Sequence, residues 1–148
     1  MSGVALSQLL QTVCLTTGAD TYSEAYKKME ASGQPMVVVV GADWCPACVR
    51  MKGSTIPALV NGGHLENVPV AFVNVDREPQ LARQLMRGGT IPQIMVFRNT
   101  AGGWHRRQLT GGASTGSVLA MVNEARKLEG VKAVETKTTA TDSSTAAR

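Results

Sequence analysis

Residues 21–130 predict an α/β fold: a mixed central β-sheet with helices covering both faces. Three observations carry this. An unbroken apolar run, "MVVVVGA", occupies residues 36–42; helical and strand-like segments alternate along the chain; and two strand-like segments near the end are joined by "NTAGG". A β-branched run without polar alternation reads as a strand buried on both faces, hence central in its sheet. Alternation of strands with helices implies parallel pairing, and the closing hairpin adds an antiparallel partner.

Each element has its own signal. Thr21 and Glu24 stand at capping-box spacing, so hydroxyl and carboxylate can each satisfy an unpaired backbone N–H at the start of a helix over residues 22–32. Tyr22, Ala25, Tyr26 and Met29 fall on one face of it, and Gly33 followed by Pro35 stops it. After the valine run, Pro46 suits the first position of a second helix, where no N–H is needed. That puts Cys45 at the N-cap and Cys48 about one turn inside. Gly53 is expected to interrupt this helix, and Pro57 to start a further turn ending at Asn61-Gly62-Gly63. "VPVAFVNVD" at residues 68–76 reads as the second strand. Leu81, Leu85 and Met86 mark a short helix closed by Gly88-Gly89. A third strand covers residues 93–97, and "WHRRQLT" returns with Trp104, Arg106 and Gln108 on one face. Val118, Met121, Val122, Ala125 and Leu128 then form the apolar stripe of a last helix.

The ends read differently. Residues 131–148 have little to bury and are expected to form a disordered tail. Residues 1–20 form an extension whose apolar stretch ends in small residues, like the remnant of an export signal. It lacks a positive leading region, however, and Gln8 and Gln11 interrupt it. A short amphipathic helix fits as well. As written the chain carries no clear export signal, so a cytoplasmic location is expected, with export to the periplasm the alternative if residues 1–19 are such a remnant.

Composition removes several functions. No apolar run approaches the roughly 20 residues of a membrane-spanning helix, so no membrane span is expected. The net charge of +4 is spread over fifteen scattered Lys and Arg, and only six aromatic residues are present. Nucleic-acid binding needs a dense basic stripe or a stacking platform, so no nucleic-acid partner is expected. Three cysteines and two isolated histidines, His64 and His105, do not make the two close ligand pairs of a zinc site, and no metal is expected. Cys14, thirty-one positions before Cys45, reads as a small buried hydrophobe or a bystander thiol.

There remains the pair in "GADWCPACVRMK", residues 41–52. A helix N-terminus carries partial positive charge and free N–H groups, which favour a thiolate over a thiol and so a sulfur able to attack a disulfide. Cys45 at the tip is expected to be exposed and attacking, with Cys48 shielded one turn deeper and resolving. Two cysteines could instead be core filler, but a CxxC pair that follows a buried strand within a βαβ pattern reads as a redox pair.

The residues around this pair resemble the thioredoxin superfamily. "WCPAC" is similar to its WCxxC active site, "TIPQIMVF" to its cis-proline loop entering a strand, "VAFVNVD" to the strand between, and "LTGGAS" to the turn before the final helix. "GADWCPAC" resembles the subgroup that includes the C-terminal domain of the membrane thiol–disulfide interchange protein. The resemblance implies a thioredoxin fold and a thiol–disulfide oxidoreductase exchanging disulfides with protein substrates, recharged by an upstream redox partner, without a cofactor and as a monomer. Cys45 would be the nucleophile and Cys48 the resolving thiol, the two forming the redox disulfide. Pro92 would be cis, Ile91 would offer backbone hydrogen bonds to an extended substrate, and Trp44 would flank the site unless it packs in the core.

Two departures qualify this. The family's buried aspartate, six residues before the first cysteine, is Val39 here, and the lysine of the following strand is Phe72. A more apolar pocket behind Cys48 raises a thiol's pKa and slows its attack. The alternative these two residues keep alive is a non-catalytic binding module on the same scaffold. With no histidine between the cysteines to stabilise the Cys45 thiolate further, a reductant is favoured over an oxidant.

Overall fold

The computed structural model describes residues 19–131; most of the N-terminal extension, including Cys14, and most of the C-terminal tail lie outside them. The element order is α1 (Tyr22–Ser32), β1 (Met36–Gly41), α2 (Pro46–Arg50), a π-helical turn (Met51–Thr55), α3 (Ile56–Asn61), β2 (Val70–Asn74), α4 (Pro79–Leu85), β3 (Gln93–Thr100), β4 (Gly103–Thr110) and α5 (Thr115–Lys127). Helix α1 begins with the capping box drawn by Thr21 and Glu24 and ends at Gly33 in the left-handed region (φ 68°). Glycine adopts that conformation without a Cβ penalty.

The four strands form one mixed sheet in the order β2-β1-β3-β4. The valine strand β1 is interior, as its composition predicts. Its side chains alternate: Val37 and Val39 join the layer under α3 and α5, whereas Met36, Val38 and Val40 join the layer under α1 and α4. Each such side chain, fully buried, contributes roughly 1.5–3 kcal/mol.

Two expectations need correction. β1 and β2 are parallel, but β3 runs antiparallel to β1 rather than continuing the parallel set. The register shows how: β2 ends at Asn74 opposite Gly41, and β3 begins at Gln93 opposite Val40, so after α4 the chain re-enters the sheet at the end it left. Gly53 also does not break the second helix. α2, the π-turn and α3 run on without interruption from Pro46 to Asn61. In an ideal α-helix the Pro57 ring would press on the carbonyl of Gly53; the wider turn just before it relieves that contact.

Only two polar side chains are buried among the described residues, Gln93 and Arg98. Arg98 donates through Nη1 to the Ala125 carbonyl at 2.7 Å and so satisfies an acceptor in the last turn of α5. Gln93 serves a different end of the sheet, described below.

Candidate active site

The site forms where β1 ends and α2 begins. Cys45 is the N-cap of α2 in an extended conformation (φ −92°, ψ 112°), and Pro46 follows at the first helical position. Cys45 Sγ accepts a hydrogen bond from the Cys48 backbone N–H at 3.3 Å. The same sulfur that caps the helix is disulfide-bonded to Cys48, with the Cα atoms 5.2 Å apart.

The expected exposure of Cys45 is not met in this oxidised form: Cys45 is 7% and Cys48 5% exposed, so both are buried. Each sulfur covers the other, and both pack with Ala42, Ala47, Val75 and Ile91. Position rather than exposure separates them. Cys45 stands at the tip as the N-cap, its sulfur taking the Cys48 N–H, whereas Cys48 lies against Gly41 so closely that a Cβ there would sit 2.8 Å from its Cβ and Sγ. Gly41 is needed for that approach.

Trp44 is 69% exposed, which excludes core packing as its role. Its indole Nε1 donates to Asp76 at 2.9 Å, and the neighbouring Asp43 pairs with Arg77 at 2.7 Å. Asp76 is itself placed by its backbone N–H donating to Asn74 Oδ1 at 2.8 Å. These bonds tie the turn before Cys45 to the loop after β2. The Ile91–Pro92 bond is cis, and Ile91 packs on the cysteine pair. Between Trp44 and Ile91 lies an apolar groove of about 220 Å³, floored by Val75, Ala82 and Met86. Of the residues singled out from the sequence, Trp44 and Ile91 line this groove, Ile91 packs on Cys45 and Cys48, and Pro92 is buried next to it in the chain.

Behind Cys48 is a second, open cavity of about 130 Å³. Val39 and Phe72 are register neighbours across β1 and β2 and form its apolar wall. A cation is present nonetheless. Lys52, four residues beyond Cys48, lines this cavity and holds its Nζ 5.7 Å from the centre of the Phe72 ring. The spacing of four, which puts two helical residues on one face, was the available sequence signal. Gln93 was also missed; its signal is a polar residue opening the otherwise apolar "QIMVF".

A family model described as thioredoxin-like matches residues 17–99. A search of curated proteins finds no match. Among solved structures, a thioredoxin from Thermus thermophilus is 27% identical with a TM-score of 0.57, covering 70% of this chain and 82% of that one. Trxlp from Edwardsiella tarda is 26% identical with a TM-score of 0.57, covering 71% of this chain and 98% of that one. Chloroplastic thioredoxin z, at 17% identity, shares the fold with a TM-score of 0.60 over 74% of this chain and 93% of that one.

Proposed function

The chain belongs to the thioredoxin-like family, and from that premise we propose that it reduces disulfides in protein substrates through Cys45 and Cys48. The observation that carries this reading is the Cys45–Cys48 disulfide at a helix tip, packed against the cis-proline loop and next to an apolar groove.

The cycle starts from the dithiol. The Cys45 thiolate, favoured by the N–H groups at the start of α2, attacks one sulfur of a substrate disulfide. That S–S bond breaks, a mixed disulfide forms through Cys45, and the leaving substrate thiolate takes up a proton. Cys48 then loses its proton and attacks Cys45 Sγ, forming the intramolecular disulfide seen here and releasing the second substrate thiol. Two electrons and two protons pass to the substrate. An upstream dithiol reductant returns the pair to its starting state.

Ile91 supplies backbone groups to an extended substrate segment, and the groove beside Trp44 accommodates an apolar side chain of that segment. The step exposed to the change at Val39 and Phe72 is the second, because the Cys48 proton leaves beside an apolar wall. Lys52 lines that cavity from the helix side and Arg77 from the loop after β2.

The test is acceleration of insulin reduction by dithiothreitol. Catalysis by wild type that is abolished in Cys45→Ser is expected. The Cys48→Ser variant is expected to accumulate mixed disulfides through Cys45; no catalysis by fully reduced wild type, or trapping through Cys14 instead, refutes the assignment.

A further inference from the structure

Gln93 follows Pro92 directly, opens β3 and has no exposed surface. A primary amide left unpaired there would be costly, so its partners are informative. All four of its hydrogen-bonding positions are used. Its carbonyl oxygen accepts from the Arg87 backbone N–H at 2.9 Å and from Nε2 of Gln108. Its amide nitrogen donates to the carbonyls of Arg87 at 2.9 Å and Thr90 at 2.8 Å.

The side chain therefore does for the turn at residues 87–90 what a neighbouring strand would do. That turn contains Gly88 in the left-handed region (φ 71°) and Gly89, and has few restraints of its own. A polar chain continues beneath it. Arg106 Nη2 donates to Gln108 Oε1 at 2.5 Å and also to the carbonyl of Leu85, the last residue of α4. The link from α4 to β3 is thus gripped at Leu85, Arg87 and Thr90. Ile91, the next residue, has backbone groups that bond to no other backbone group among the described residues.

We propose that Gln93 is a positioning residue for substrate capture, holding the turn at residues 87–90 so that the Ile91 backbone groups are already set when an extended substrate arrives. This rests on the oxidoreductase reading above. Ordering a residue's backbone costs conformational entropy, and a glycine-rich link left free would bring that cost to the binding step. With Gln93 the ordering is completed in folding. A small disulfide that reacts at Cys45 without lying along Ile91 gains nothing from it.

The experiment compares the full chain with Gln93→Met, which keeps length and removes every hydrogen bond, Gln93→Glu, which loses both donors, and Gln108→Leu. Three quantities are read: kcat and KM for insulin, the rate of the reduced protein with the small disulfide dithiobis(nitrobenzoate), and the potential of the Cys45–Cys48 couple against glutathione. The expected result is a rise of about tenfold in the insulin KM for both Gln93 variants and about threefold for Gln108→Leu. The insulin kcat, the small-disulfide rate and the potential should stay near wild type. A parallel loss on insulin and the small disulfide, or no change on either, overturns the inference. If the Gln93 variants do not fold, the same pair of rates in Gln108→Leu decides it. Wild type inactive on insulin would remove the oxidoreductase reading itself; active wild type with unselective variants removes the positioning role alone.

Discussion

Replacing Gly41 by Ala tests the packing on which Cys48 depends. The added Cβ would meet Cβ and Sγ of Cys48 at 2.8 Å each. Carbon atoms in contact settle at roughly 3.5–4.0 Å, so the overlap is at least about 0.7 Å. Cys48 Cβ is fixed to the backbone of α2 and cannot swing aside; the end of β1 or the first helical turn must move. Overpacking of this kind costs roughly 1–3 kcal/mol. For a domain of this size each kcal/mol lowers Tm by about 3–6 °C, which gives a drop of roughly 3–18 °C. Gly53→Ala is the internal control. A Cβ there meets nothing within 4 Å, and the gain in helix propensity stabilises by up to about 1 kcal/mol. Thermal unfolding of the oxidised proteins, with insulin reduction measured alongside, reads both effects. Gly41→Ala with the Tm and activity of wild type would refute the argument, as would equal losses in the two variants.

Two further outcomes follow from the same geometry. Glu24 has its carboxyl held below the usual range, first by the Thr21 backbone N–H, then by the Thr21 hydroxyl, with Lys28 and Lys27 adding to the effect. A depressed folded pKa contributes stability above the unfolded pKa and loses it as pH falls through the folded one. The Tm difference between wild type and Glu24→Gln is therefore expected at pH 7 and should vanish in acid; a difference that grows in acid contradicts it. Val39→Asp restores a carboxyl to the wall behind Cys48, beside Phe72. Burial raises that carboxyl's pKa, so the variant should lose several kcal/mol at pH 8 and less at pH 5. Decay of the mixed disulfide on Cys45 should speed up roughly tenfold once the carboxyl ionises. An unchanged decay rate in the folded variant would show that proton loss from Cys48 does not limit the cycle.

Much of this site was legible in the sequence because its signals are local. A proline one position after Cys45 is enough to place that sulfur at a helix cap, and the structure has it there. Thr21, Glu24 and Gly33 bracket α1 at the residues their chemistry specifies. Trp44 is the contrary case. An indole before a helix fits core and surface equally, and its exposure was decided by Asp76, thirty-two residues away, which offers it an acceptor at the rim. Lys52 is similar: its spacing from Cys48 was visible, but its seat over Phe72 needs β2 to lie beside the helix.

Local residue patterns specify most of the helices and strands, though not the unbroken helix through Gly53, together with the interior place of β1 and the meeting of two sulfurs at a helix tip. Those properties depend on periodicity and capping within a few neighbouring residues. What the folded chain alone sets is that β3 runs against β1, that Trp44 faces solvent, and that Gln93 reaches back to the turn at residues 87–90. Each of these depends on where the chain reverses and on which distant donor or acceptor then comes within hydrogen-bonding range, and no local pattern of residue types encodes that distance.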